Sequence, residues 1–259
     1  MEEKLFTEQR RDEIVRLIQE KKSIGVQELS SLFRVSGTTI RQDLTALEKQ
    51  GLLRRTHGGA VMPNDLRQYI REPEISERTH QKEKIRIAEE ALRFVNDSET
   101  ILLDNGTTMA AFAAALSQSL HSGLTICSND LNGMQILEAK ENCDLRILGG
   151  AVRKGFHYTY GPQVLEELRH YHFRRLFLST SAVSADGLST ANSDLAAVKH
   201  AMIDASEEVI LLTDSSKFGK IDFRKFADIS SVHTVITDTG ITEEHCRYIR
   251  EAGVRLITV

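Results

Sequence analysis

The chain has little of what would pin it by covalent bonds or hold it in a membrane. Its 259 residues include three cysteines, Cys127, Cys143 and Cys246, widely spaced and with no Cys-x-x-Cys pair. Neither a disulfide framework nor a structural zinc site is indicated, and a reducing, cytoplasmic setting is expected. Only three prolines interrupt the chain. No apolar run approaches the ~18 residues of a membrane span, and the opening MEEKLFTEQRRDEIVRLI is too charged for a secretory signal, so no membrane partner is expected. With 41% hydrophobic and 27% charged residues, the composition is that of a globular protein.

The length favours one small and one medium domain. Net charge is −4, but it is unevenly spread: residues 1–62 carry +2 and the remainder −6. A basic head on an acidic body is the distribution expected of a nucleic-acid binder with a second function.

Apolar residues Ile14, Leu17 and Ile18 fall at helical spacing behind Thr7, which predicts a first helix to about Lys22. Ser23-Ile24-Gly25 breaks the pattern, and Val26, Leu29 and Leu32-Phe33 mark a short second helix with Phe33 as its anchor. Ser36 can cap a third helix whose inner stripe is Ile40, Leu44 and Leu47. The opposite face carries Thr38, Thr39, Arg41, Gln42 and Thr45, hydrogen-bonding groups suited to a DNA major groove. Past Gly51, residues 52–61 read as two short strands around a basic, glycine-bearing wing, with Arg54, Arg55 and His57 set to meet phosphates. Asp43 suits a structural role, paired with Arg41 or Arg54.

A polar face on one helix usually only meets solvent, so the combination has to carry the reading. Arg10-x3-Ile14-x3-Ile18, then Ser36-x2-Thr39-Ile40-Arg41-Gln42-Asp43-Leu44, then Arg55-x-His57-Gly58-Gly59-Ala60 resembles the N-terminal signature of DeoR-type transcriptional regulators. The resemblance implies a winged helix-turn-helix over residues 1–62 in which the helix from Ser36 to Lys49 reads operator DNA. Gln42 departs from the pattern, standing where a second arginine is frequent.

Residues 63–81 are polar, contain two prolines and read as a linker. From residue 82 short apolar runs alternate with helical patterns to the end of the chain, which predicts a mostly parallel sheet covered on both faces, an α/β domain over 82–259. Ligands bind such sheets beyond the carboxyl ends of the strands. Polar clusters sit at those ends: Asp104-Asn105-Gly106-Thr107-Thr108, Ser128-Asn129-Asp130, Gly149-Gly150, the segment around Asp186, and Asp214-Ser215-Ser216-Lys217. The first opens a helix, where free N–H groups and the helix dipole favour an anion, so Gly106, Thr107 and Thr108 form a candidate phosphate cradle. Each cluster alone also serves as turn geometry; their repetition in one domain is the argument.

These clusters extend the resemblance over nearly the whole chain. It implies an effector domain similar to ribose-5-phosphate isomerase folds that senses a phosphorylated sugar through Asp104, Gly106, Thr107, Thr108, Ser128, Asn129, Gly149, Gly150, Asp186, Asp214 and Lys217. It implies no cofactor and a homo-oligomer, dimer or tetramer, that represses a carbohydrate-catabolic operon. Thr190-Ala191-Asn192-Ser193-Asp194 departs from relatives that carry adjacent acidic residues there. Two rival readings are weaker. An isomerase would place its proton-abstracting carboxylate in an acidic loop, where this chain offers only Asp186 and Asp194. Metal sensing through His157, His170 and His172 lacks a supporting cysteine or carboxylate pair.

Overall fold

The computed structural model describes residues 7–21, 23–49, 53–56, 58–61 and 79–259. They divide into two compact units, Met1–Arg71 and Glu72–Val259. Most of the expected linker, and His57, lie outside the described residues.

Among its described residues the first unit holds three helices, α1 (Thr7–Lys21), α2 (Val26–Phe33) and α3 (Gly37–Lys49), and three strands, β1 (Ser23–Gly25), β2 (Arg54–Thr56) and β3 (Gly59–Val61). The helical stripes meet in one core of Ile14, Leu17, Ile18, Leu29, Ile40, Leu44 and Leu47, closed by Ile24, Leu53 and Ala60. Phe33 is only partly buried and packs against this core from outside, while Leu29 is the buried anchor of α2. The expected break at Ser23-Ile24-Gly25 is itself a strand, pairing antiparallel with β3 so that the order is β1-β3-β2. Gly59 permits this: a Cβ there would sit 2.1 Å from the Ile24 carbonyl oxygen.

The second unit is built on seven parallel strands: β4 (Thr100–Leu103), β5 (Leu124–Ser128), β6 (Cys143–Ile147), β9 (Phe173–Leu178), β12 (Ser206–Leu212), β14 (Thr234–Thr237) and β15 (Arg255–Thr258). The five inner strands β4, β5, β9, β12 and β14 carry consecutive residues buried on both faces, which explains their unbroken apolar runs, while the edge strands β6 and β15 are only partly covered. Alternation sorts the side chains. Ile101, Leu103, Ile126, Phe177, Ile210, Leu212 and Ile236 face α4 (Gln81–Ala91), α5 (Thr107–Ser117) and α6 (Leu131–Leu137). On the other face, Leu102, Cys127, Leu176, Leu178, Leu211 and Val235 meet α7 (Pro162–Leu168), α8 (Ser193–Asp204) and α9 (Glu243–Glu251).

The strand order is β15-β14-β12-β9-β4-β5-β6. From β4 the chain builds outward through β5 to β6, then returns to the other side of β4 with β9 and builds outward again. The direction therefore reverses between β4 and β9, and such a switch point is where open α/β sheets bind ligands. Two antiparallel additions frame it. A hairpin of β7 (Ala151–Arg153) and β8 (Tyr158–Tyr160) follows β6, and β10 (Ala182–Ser184), β11 (Gly187–Thr190) and β13 (Arg224–Ala227) form a small separate sheet.

Candidate functional site

In the first unit the expected reading face is exposed and open. Ser36 caps α3, accepting the Thr39 N–H at 3.1 Å, and its hydroxyl lies 2.9 Å from that of Thr39. Thr38, Arg41, Gln42, Thr45 and Ala46 line one shallow concavity along the helix. Thr45 is already engaged: its hydroxyl donates to the Arg41 carbonyl at 2.7 Å and accepts from the Arg55 guanidinium at 2.7 Å. The Arg55 N–H also donates to Glu48 at 2.7 Å, so the wing strand β2 is latched to the helix. Arg54 lies in β2 beside it.

Asp43, in the middle of α3, is buried. The expected pairing with Arg54 lies outside the described side chains; Asp43 accepts from Arg10 at 2.7 Å and Arg11 at 2.9 Å, both on α1, and does not pair with Arg41 as expected. The reason is the helical repeat, which turns residue 43 inward with Ile40, Leu44 and Leu47, away from the face that carries Arg41.

In the second unit the expected ligand residues fall along one edge of the sheet. Asp238, Asp214, Ser179, Asp104, Asn129 and Gly149 end or follow β14, β12, β9, β4, β5 and β6 in spatial order. Adjacent strands are about 4.8 Å apart, so Asp104 and Asn129 are close, whereas Asp214 is roughly 10 Å along the edge from Asp104. Asp186 stands apart from this row, exposed in the turn between β10 and β11, its N–H donating to Ser184 at 3.2 Å.

The centre of the row is the switch point between β4 and β9. Asp104 is 0% exposed. Its Oδ2 accepts from the Ser179 N–H at 2.9 Å, from the Ser179 hydroxyl at 2.8 Å and from the ammonium of Lys199 on α8. Lys199 also donates to the Ser179 carbonyl at 3.0 Å and lies 5.8 Å from the Phe226 ring on β13. Neither Ser179 nor Lys199 stood out in the sequence. A single lysine inside a helix reads as solvated, and only the tertiary fold turns it onto a carboxylate 95 positions away.

Gly106, at φ +127°, starts α5, so Thr107 and Thr108 occupy its first turn as the cradle reading requires. Asp130 shares this corner. It caps α6 through the Asn132 N–H at 3.1 Å, and burial, with the Asp104 charge as a lesser cause, pushes it up to about 6. The N–H groups of Asn132, Gly133 and Gly106 favour its charged form and are outweighed. Ser128 accepts the Asp130 N–H at 2.9 Å.

The hairpin hangs on this edge by backbone bonds. The Thr159 N–H donates to the Asn129 carbonyl and the Leu131 N–H to the His157 carbonyl, both at 2.8 Å. Gly150, at φ +146°, begins it where a Cβ would meet the Tyr160 carbonyl at 2.7 Å, and the Gly149 N–H donates to Glu167 at 3.1 Å. Burial pushes the Tyr158 hydroxyl up to about 12, and Arg153, Asp104, Tyr160 and Asp194 act on it as well. Farther along, Lys217 lies 4.0 Å from Asp214, and the Ser216 N–H donates to Asp214 at 3.1 Å. Burial opposes ionisation of Asp238, but the N–H and hydroxyl of Ser215 and the N–H of Gly240 hold it below the usual carboxylate range.

His170 and His172 pair with different glutamates, Glu166 and Glu207, at 3.3 and 3.2 Å. Among the described residues no group of three His, Cys, Asp or Glu side chains converges as a metal site would need.

With this geometry in view, residues 10–65 match the DeoR-like helix-turn-helix domain and residues 79–239 the DeoR C terminal sensor domain. The chain belongs to the DeoR family. It is a DNA-binding transcriptional regulator. Among relatives in the family, the HTH-type transcriptional repressor GlcR of Bacillus subtilis is 30% identical over 98% of this chain and 96% of its own length. The lactose phosphotransferase system repressor of Streptococcus mutans is 34% identical over 89% and 92%. Of solved structures, ribose 5 phosphate isomerase A from Neisseria gonorrhoeae aligns over 52% of each chain at 18% identity and TM-score 0.39. The sorbitol operon regulator SorC from Klebsiella pneumoniae aligns over 80% of this chain and 88% of its own at 11% identity and TM-score 0.39. The DeoR sensor domain spans the whole row from Asp104 to Asp238, so the edge described above falls inside the segment that names a sensor.

Proposed function

We propose that this DeoR-family protein represses a carbohydrate-catabolic operon and releases it on binding a phosphorylated sugar at the carboxyl edge of the parallel sheet. Residues 1–62 contact DNA, 82–259 sense the effector and 63–81 join them. One observation carries the sensor assignment. Of eight buried side-chain atoms without a hydrogen-bond partner among the described residues, six, Asp104 Oδ1, Asn105 Oδ1, Asn129 Oδ1, Thr213 Oγ1, Asp214 Oδ2 and Thr237 Oγ1, lie at or just beyond the carboxyl ends of strands, and the other two, His245 Nδ1 and Tyr248 Oη, are on α9. Buried polar groups are normally satisfied, and exceptions concentrated on one edge mark where something else binds. That the relative GlcR is a transcriptional repressor and the Streptococcus mutans relative a lactose phosphotransferase system repressor supports repression of sugar genes as the sign and subject.

The phosphate sits on Gly106, Thr107 and Thr108 at the start of α5, where the helix dipole favours an anion. Ser128, Asn129, Gly149 and Gly150 border the sugar, and Asp186, Asp214 and Lys217 complete the site. The chain carries no catalytic role in this reading and works in the cytoplasm as a homo-oligomer, at least a dimer, because paired recognition helices meet half-sites about 34 Å apart or multiples of that. Effector binding that favours the DNA-incompetent state by about 1 to 3 kcal/mol lowers operator affinity roughly 5 to 150-fold.

The test is a thermal-shift panel of sugar phosphates and their unphosphorylated sugars, followed by operator release with each hit. Stabilisation confined to phosphorylated compounds supports the reading, and isomerisation of any hit would replace it with an enzyme. Thr107→Val should leave operator binding intact and abolish the response to effector; loss of both would make Thr107 structural.

A further inference from the structure

Asp104 and Asn129 are each 0% exposed, yet each keeps one oxygen without a donor. On Asp104 every donor falls on Oδ2, from Ser179 and Lys199, and Oδ1 receives none. On Asn129 the amide nitrogen donates to the Thr159 carbonyl at 3.1 Å, which fixes the amide's orientation and leaves Oδ1 as the unsatisfied atom. The pairing Leu103↔Ser128, carried one residue on, sets Asp104 beside Asn129. Alternation puts them on the same face as Leu102 and Cys127. Asn105 Oδ1, the next residue along, is a third buried acceptor without a donor.

These atoms accept and do not donate, and their charge is already balanced by Lys199. A phosphate brings only further acceptors and would face a carboxylate, whereas hydroxyls bring donors and no charge. We infer that Asp104 Oδ1, Asn105 Oδ1 and Asn129 Oδ1 accept hydrogen bonds from hydroxyls of the effector's sugar, with Lys199 and Ser179 as positioning residues that hold Asp104 Oδ1 towards them. This rests on the reading of the effector as a phosphorylated sugar and divides that site in two. The phosphate keeps to the start of α5, and the hydroxyls are read at the ends of β4 and β5. Asn129 is tied to the β7–β8 hairpin through Thr159, which sets the hairpin against this end of the sheet. A site built on buried acceptors rejects ligands that lack the matching donors, because the acceptors are then left desolvated and unpaired.

The experiment measures affinities of the full-length protein for glucose 6-phosphate, 2-deoxyglucose 6-phosphate, fructose 6-phosphate, galactose 6-phosphate, ribose 5-phosphate, the parent sugars and inorganic phosphate. Three variants are compared with the wild type: Asn105→Ala, Lys199→Arg, and the charge-balanced double variant Asp104→Asn with Lys199→Met. The double variant should bind the preferred sugar phosphate at least about tenfold more weakly while its affinity for inorganic phosphate holds, because only the hydroxyl reader is altered. Lys199→Arg, which retains the cation, should recover part of the preference for sugar phosphate over inorganic phosphate, a ratio that general destabilisation does not move. Should the double variant fail to fold, Asn105→Ala, at a partly exposed position, decides by the same ratio. An unchanged ratio overturns the inference and leaves the phosphorylated-sugar reading standing. Binding of parent sugars alone, lost in the variants, upholds the inference and removes the phosphate. If no compound binds the wild type, both fall.

Discussion

The Arg41 side chain stands exposed on α3 with no hydrogen bond or ion pair to any described residue, so its five donors are uncommitted. A guanidinium presented this way from a recognition helix matches the paired acceptors of guanine. Arg41→Ala should weaken operator binding by about 1 to 3 kcal/mol and relax specificity at one base pair, read by fluorescence anisotropy at fixed salt. An affinity that does not change would remove Arg41 from base readout. Asp130 offers a second residue-level test. Its folded pKa of about 6 lies above the ordinary aspartate value of 3.8. The protonated form is therefore the one the fold prefers. Stability is full below the unfolded value and is lost as pH rises through the folded one, up to about 3 kcal/mol for a shift of this size. Asparagine caps a helix as well as aspartate does. Asp130→Asn should accordingly match wild type in melting temperature near pH 4 and exceed it at pH 7.5. Equal melting curves at both pH values would show that Asp130 is not held off its charged form.

At the scale of the element, α3 is aimed by two attachments that have little to do with its own sequence pattern. Arg10 and Arg11 of α1 clamp Asp43 from behind, and Arg55 of the wing holds Thr45 and Glu48 in front. Removing one member of a buried ion pair leaves the others desolvated, at a cost of about 3 kcal/mol. Asp43→Asn should raise amide hydrogen exchange across residues 7–61 and leave the sheet of the second unit as protected as before. Uniform change in both units, or none, would contradict the clamp. The helices themselves were legible, because Ile14-Leu17-Ile18 and Ile40-Leu44-Leu47 keep a period of three and four and Ser36 is a strong cap. The partners of Asp43 were not. An ion pair across 33 positions leaves no local trace, and Arg41, the nearest arginine in sequence, lies exposed on the other face of the helix. Strand β1 was hidden for a related reason: three residues with a glycine look like a helix break until β3 supplies the other half of the pairing.

Over the whole molecule, the alternation of apolar runs with helical stripes was enough to foresee a parallel sheet covered on both faces, and four of the five polar clusters lie at the carboxyl ends of its strands, the Asp186 segment falling instead in the β10–β11 turn. Their spatial order was not foreseeable, since it depends on the return of β9 to the far side of β4. That return makes Asp104 the centre of the edge, puts Asn129 beside it and sets Asp214 and Lys217 farther off. It also recruits Ser179, whose Ser-Thr-Ser context looks like an ordinary loop. If regulation works by repeated recognition helices, operator DNA with two half-sites one helical turn apart should bind far more tightly than a single half-site, and insertion of five base pairs should abolish that gain. Equal binding to one and two half-sites would mean that the chain acts on DNA as a single reader.

The β7–β8 hairpin is fastened to the sheet edge largely through main-chain atoms, at Asn129, Leu131 and Leu148. A cover attached by its backbone can exchange most of its side chains without coming loose. Lineages could therefore retune what the site admits by rewriting positions 152–157, while the carboxylate, ammonium and serine beneath are inherited intact. The hairpin is in that sense the evolvable part of the sensor, and the sheet end is its fixed frame.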